Sequence, residues 1–239
     1  MKQINDSKRK GNAQVVARLI ASQVRRKKPI IVVLCGPSHA GKTGFAKRLH
    51  KCFKVISSDQ IRVELTSCFE QSGSELRVWK VFEAMKRQAL KQGDSIILDA
   101  CHISEQARWH SLQGADGRHT KICIIFDFPW RAIKQRWVRE RRVPLKKVRR
   151  MWEDFQRRKP TIEELKQLGF DGVYHVTGSF EGSERPGSQE HSRGVPVTGR
   201  DCRCNSRRNL FLSIFHYLLA GLPIRPGGQW YDNREVNYG

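Results

Sequence analysis

Acidic residues are scarce in this sequence: 23 Asp and Glu stand against 45 Lys and Arg in 239 residues, a formal net charge of +22. The deficit is local. Residues 1–28 hold nine basic residues and one acid, and residues 131–159 hold thirteen and three. Two short stretches therefore carry most of the excess, and a polyanionic partner is the economical explanation. Solvated helix faces that only aid solubility are the plainer alternative. A long unbroken apolar run is also missing. The longest near the C-terminus, Leu210 to Leu222, is interrupted by Ser213, His216 and Gly221; it is too short to cross a bilayer and reads as a docking helix. No cleavable signal opens the chain and no internal repeat is evident. The seven cysteines, at positions 35, 52, 68, 101, 123, 202 and 204, are scattered, several inside apolar strands, and do not form a disulfide frame. Cys202 and Cys204 with His191 or His216 lack the spacing of paired zinc-binding knuckles. An intracellular, cytoplasmic protein is expected. The run Arg25-Arg26-Lys27-Lys28 has the composition of a nuclear-import signal, a weak indication because such runs are common.

What the sequence does contain is organised around Gly36-Pro37-Ser38-His39-Ala40-Gly41-Lys42-Thr43, a match to G-x-x-x-x-G-K-[ST]. It follows an apolar run, Ile30 to Cys35, that predicts a buried strand, and precedes a helical pattern with Phe45, Ala46 and Leu49 on its inner face. In that context the glycines allow a sharp turn that aims several N–H groups at one phosphate. Lys42 adds a point charge on the outer phosphates, Thr43 offers a hydroxyl to magnesium, and the helix presents its positive N-terminal end.

Further strands are predicted at Lys54 to Ile56, Ser95 to Leu98, Lys121 to Phe128 and Val173 to Thr177, alternating with helices. Short, almost continuous apolar runs of this kind indicate a parallel sheet covered on both faces. The expected fold is α/β, a five-stranded P-loop kinase architecture with right-handed crossovers. Asp59 and Asp99 each stand just past a strand end, on the edge where open parallel sheets bind ligands. Asp59 and Arg62, three apart on an opening helix, share one face. A plain capping role is the alternative for either acid. Ser72 to Glu75 resembles a capping box for a helix with Val78, Phe82, Met85 and Ala89 on its stripe. The expected organisation is a basic N-terminal helix over 1–28, a kinase domain over 29–178 with a lid at about 131–159, and a flexible loop, docking helix and tail over 179–239.

These parts fit phosphoryl transfer, which needs the donor phosphates held, a magnesium ion, a group to take the acceptor's proton, and positive charge on the transferring group. Asp59 is the candidate base. Asp99 is expected to help order the magnesium shell or the acceptor. The lid should supply the charge and exclude water, with Arg136, Arg139 and Arg142 as candidates and Arg139 placed first.

The phosphate loop, Ser58-Asp59-Gln60-Ile61-Arg62, Leu98-Asp99-Ala100-Cys101-His102, Phe126-Asp127-Phe128-Pro129, and the Arg-rich segment leading to Val143-Pro144 with Phe155 and Pro160 together resemble the polynucleotide 5′-hydroxyl kinase family of the phage and bacterial RNA-repair type. The similarity covers about residues 29–177. It implies that Asp59 is the general base, that Arg62 grips a phosphate of the acceptor nucleotide, and that Lys42 and Thr43 keep their phosphate and magnesium roles. ATP or GTP is the implied donor, and RNA or DNA with a 5′-hydroxyl end the implied acceptor. Two departures stand out. The family usually shows Asp-Ala-Thr-Asn at positions 99–102, and its lid arginines stand four apart where Arg136 and Arg139 stand three apart. A kinase of the same fold acting on a small metabolite, nucleotide sugar or aminoacyl-tRNA is the runner-up. A nucleic-acid-binding protein switched by ATP is the other class.

Overall fold

The computed structural model describes residues 10–24, 28–66 and 75–177. The strands are β1 (Lys10–Gly11), β2 (Ile30–Cys35), β3 (Lys54–Ser57), β4 (Ile96–Asp99), β5 (Thr120–Phe126) and β6 (Gly172–Val176). The helices are α1 (Ala13–Gln23), α2 (Lys42–Arg48), α3 (Ser58–Thr66), α4 (Glu75–Gln92), α5 (Glu105–Leu112), α6 (Trp130–Glu140), α7 (Leu145–Arg158) and α8 (Ile162–Gln167). All five expected strands are present and parallel, in the order β6-β5-β2-β4-β3, and the two-residue β1, which no apolar pattern announces, pairs with the outer edge of β6.

Every residue of β2 is buried because side chains alternate between two covered faces. Ile31, Val33 and Cys35 enter one apolar cluster with Val78, Phe82 and Met85 of α4 and Leu165 of α8. Ile30, Val32 and Leu34 enter the other with Val16 and Ile20 of α1, Phe45 of α2, Ile133 of α6 and Val148 of α7. Two-sided coverage is what converts a nearly continuous apolar run into a central strand.

The chain leaves β2 toward β4 and β3, then crosses back to β5 and β6 on the other flank. Neighbouring connections diverge at the carboxyl end of β2, the position where open α/β sheets form their ligand crevice. Helix boundaries follow local chemistry. Asn12 caps α1 by accepting from Gln14 N and Val15 N, Ser104 caps α5 by accepting from Ala107 N, and Thr161 with Glu164 forms a capping box on α8. Among the described residues no helix is long and apolar enough to cross a membrane.

Residues 1–9, Arg25 to Lys27, the Ser72 to Ser74 part of the expected capping box, and everything from 178 onward lie outside the described residues, so the expected loop, docking helix and tail do too, as do Cys202 and Cys204. The four described cysteines, Cys35, Cys52, Cys101 and Cys123, are free thiols.

Candidate active site

The loop after β2 is held in shape mainly by backbone. Gly36 N donates to Cys101 O at 2.9 Å, fastening the start of the loop to the segment after β4. A Cβ at Gly36 would lie 2.9 Å from Phe126 O, so only glycine lets the loop pass the end of β5. Gly41 caps α2 in the left-handed region, φ 92°. The amides of Ser38, His39 and Gly41 donate to no described backbone carbonyl, and α2 begins immediately behind them. Such a nest of amides at a helix start fits a phosphate. Lys42 is buried, its Nζ donating to Gly36 O at 2.9 Å and Pro37 O at 2.6 Å.

Asp99 ends β4 directly beside Ser57 of β3, whose hydroxyl donates to its carboxylate at 3.2 Å. Burial raises the Asp99 pKa, while the Lys42 charge and the Thr43 and Ser57 hydroxyls oppose the rise. Asp99 is therefore buried at the end of β4, within reach of the Lys42 charge and the Thr43 hydroxyl. It does not cap α5, a role filled by Ser104.

Asp59 lies in the first turn of α3, with its side chain 62 % exposed. Arg62 Nη1 donates to it at 2.7 Å, the pairing that the three-residue spacing predicts. Arg62 is itself held by a residue the sequence assigned elsewhere. Glu75, read as part of a capping box, is the first residue of α4 and accepts from Arg62 Nε at 2.7 Å and Nη2 at 3.1 Å. Burial works against the Arg62 charge, but the Glu75 and Asp59 carboxylates outweigh it and raise its pKa. Nothing in the local pattern at 75 announces this pairing.

Of the three arginines expected in a lid, Arg136 lies against the loop: its Nη1 donates to His39 O at 3.2 Å and would stand 3.1 Å from a Cβ on Gly41. Its guanidinium also stacks on Phe128, 4.2 Å from the ring centre, and burial lowers its pKa. Arg139 is exposed on α6. The charges of Glu140 and Arg142, at the lid tip, reach His39 together with those of Lys42 and Asp59; burial is the main cause lowering the His39 pKa. The loop, Asp59 and the lid tip thus share one electrostatic neighbourhood.

The Asp99-to-His102 segment departs from its family pattern without leaving the site. His102 is buried at φ 44°, and its Nδ1 lies 2.8 Å from Leu34 O. Burial pushes its pKa down to about 4, so the ring is neutral and Nδ1 carries the donated proton. Cys101 stands beside Lys42, with burial raising its thiol pKa.

Among solved structures, the chain resembles the Pnkp1/Rnl/Hen1 RNA repair complex with a TM-score of 0.50 at 20% identity, covering 56% of this chain and 46% of that one. A second Pnkp1/Rnl/Hen1 complex aligns with a TM-score of 0.43 at 22% identity over 46% of this chain and 40% of that one. Shikimate kinase from Acinetobacter baumannii aligns with a TM-score of 0.42 at 16% identity over 84% of this chain and 99% of that one. The chain spans less than half the length of the two repair-complex chains. No curated protein matches it. The family model AAA_33, described as an AAA domain, matches residues 31–159, more than half of the sequence and the part that carries the loop, both edge acids and the lid. The chain therefore belongs to that AAA domain family and has the P-loop kinase fold.

Proposed function

We propose that this protein is an ATP-dependent kinase that transfers the γ-phosphate to the 5′-hydroxyl of a polynucleotide. The observation that carries the proposal is the exposed Asp59 carboxylate, at the sheet edge shared with the phosphate loop and fixed in direction by Arg62. In this reading Asp59 aims the acceptor hydroxyl and accepts its proton as the oxygen attacks. Glu75 positions Arg62, and Arg62 positions Asp59. Lys42 and the loop amides hold the donor phosphates, and Arg136 adds charge beside them with Arg142 nearby.

Thr43 and Asp99 have the hydroxyl and carboxylate chemistry that suits magnesium, which binds few protein ligands alongside phosphate oxygens. Among the described residues no group of three or more His, Cys, Asp or Glu side chains could hold a metal ion. When bound, the ion would neutralise charge on the phosphates.

The case for a polynucleotide rests on charge: a metabolite pocket needs few cations, whereas the lid segment 131–159 has thirteen basic residues and three acids. One observation favours the metabolite-kinase alternative. Arg62 already faces two carboxylates, so an acceptor phosphate must compete for it. Purified protein supplied with labelled ATP, magnesium and a panel of 5′-hydroxyl RNA, DNA and small hydroxyl compounds decides between them. Faster labelling of an oligonucleotide supports the proposal, and faster labelling of a neutral metabolite refutes it.

A further inference from the structure

Helix α7 has two faces of opposite character. Val148 and Phe155 are buried, Val148 in one of the two apolar clusters and Phe155 in the other. The other arc exposes Lys146, Lys147, Arg149, Arg150, Arg157 and Arg158. The two acids on α7 are already engaged, Glu153 by Arg149 at 2.9 Å and Asp154 by Arg157. Lys146, Lys147 and Arg158 form no ion pair with any described residue. Lys146 and Lys147, adjacent on the exposed arc and without an ion-pair partner among the described residues, leave positive charge that a polyanion would meet.

The placement of α7 supplies direction. It follows, after a four-residue connection, the end of α6, whose Arg136 donates to His39 O of the phosphate loop at 3.2 Å. It ends where Gln156 and Lys159 donate to Asp127, just beyond β5, at 3.2 and 2.7 Å. Fourteen residues make a helix of about 21 Å, the length of roughly six phosphates at ~3.4 Å each along one strand of a duplex. The large apolar side chains exposed among the described residues are Val15, Leu76, Trp109 and Val138, none of them on α7. A helix that lies in a membrane surface needs such residues.

We propose that the basic arc of α7, centred on Lys146, Lys147, Arg150 and Arg158, binds the phosphate backbone of a nucleic-acid strand whose end enters the site. The proposal deepens the polynucleotide reading and rests on it for the nature of the partner. The arc touches phosphates, not bases, so it adds affinity without sequence preference.

The test compares the full chain with the triple variant Lys146→Ala, Lys147→Ala, Arg158→Ala. Anisotropy of a fluorescent oligoribonucleotide of roughly twenty nucleotides is titrated over a range of salt. Loss of three phosphate contacts should make the log K against log salt slope shallower by about two and weaken binding roughly tenfold to a hundredfold near physiological salt. A control variant, Lys47→Ala, Arg48→Ala, Lys51→Ala, removes equal charge near the end of α2 and should leave the slope unchanged. The single variant Lys147→Glu should give the same sign of effect, and replaces the triple variant if that one is poorly folded. A slope equal to the parent's, an equal loss in the control, or loss of binding to phosphatidylserine vesicles with strand binding retained overturns the proposal. Phosphorylation of a 5′-hydroxyl dinucleotide is measured in parallel. Transfer with an unaltered slope removes the α7 surface and leaves the kinase reading standing. An altered slope without transfer to any acceptor does the reverse.

Discussion

The phosphate loop and the α6–α7 segment expected to act as a lid meet at His39 and Arg136 but are specified by different means. The loop is set by backbone: Gly36 fits because Phe126 O is close, Gly41 turns at φ 92°, and Lys42 is held by two loop carbonyls. The lid is held by side chains. Trp137 Nε1 donates to Val143 O at 2.6 Å, Trp152 Nε1 to Phe128 O at 3.0 Å, and the Arg149 guanidinium sits 5.6 Å from the Trp130 ring centre. Backbone geometry has few substitutes, whereas a charge on an exposed helix can be supplied from several positions. Changes in the loop should therefore be nearly all-or-none, and changes in the lid graded.

The largest expected effect is at the loop. Lys42→Ala should lower transfer from labelled ATP by about 10³-fold or more, the scale seen when a positive group on a transferring phosphoryl is removed. Asp59→Ala should cost about 10²- to 10⁴-fold in kcat, with ATP binding, measured by calorimetry, nearly intact. Turnover that survives this change would remove the proposed base.

Within the lid, Arg136→Ala should raise the ATP KM and lower kcat by more than Arg139→Ala, because Arg136 lies against the loop and Arg139 is exposed. Equal effects would break the contrast between the arginine that lies against the loop and the exposed one. Glu75→Gln should act more weakly still: it loosens Arg62, so the acceptor KM should change while the ATP KM does not. A shift confined to ATP would show that Glu75 positions something else.

The smallest effect concerns stability and isolates the scaffold from the chemistry. The pKa of His102 is depressed to about 4 by burial, so the unfolded chain binds more protons than the folded one between pH 6.5 and about 4. Its contribution is fully present above pH 6.5 and is lost as pH falls toward 4, about 3 kcal/mol over that window. His102→Asn keeps a residue type suited to φ 44° and a donor for Leu34 O. It should leave stability at pH 7 nearly unchanged and flatten the acid-side loss in urea melts. An unaltered pH profile would place that loss elsewhere.

Much of this was legible along the chain. The β2 run and the octapeptide carry their own context, and the 3.6-residue stripe of Val78, Phe82, Met85 and Ala89 marked α4, where all four are buried. The Asp59–Arg62 pair followed from helical spacing alone. Other features were not legible. Glu75 meets Arg62 only because α4 packs beside α3, and its first-turn position looks in sequence like ordinary capping. The preference for Arg136 depends on α6 being docked through Phe128 and His39, two residues far from it in sequence or held in an unusual conformation. The edge strand β1 has too few residues to show any periodicity.

By itself the sequence determined the phosphate loop, the strand and helix alternation and the location of excess charge, because each is written in residues close enough along the chain to share a turn, a strand or a helix face. The tertiary structure alone decided that Arg136 lies on the loop, that Asp99 is buried within reach of Lys42 and Thr43, and that Glu75 holds Arg62. Those contacts join elements brought together by burial on the two faces of the sheet, and burial partners across a sheet leave no fixed spacing in the sequence.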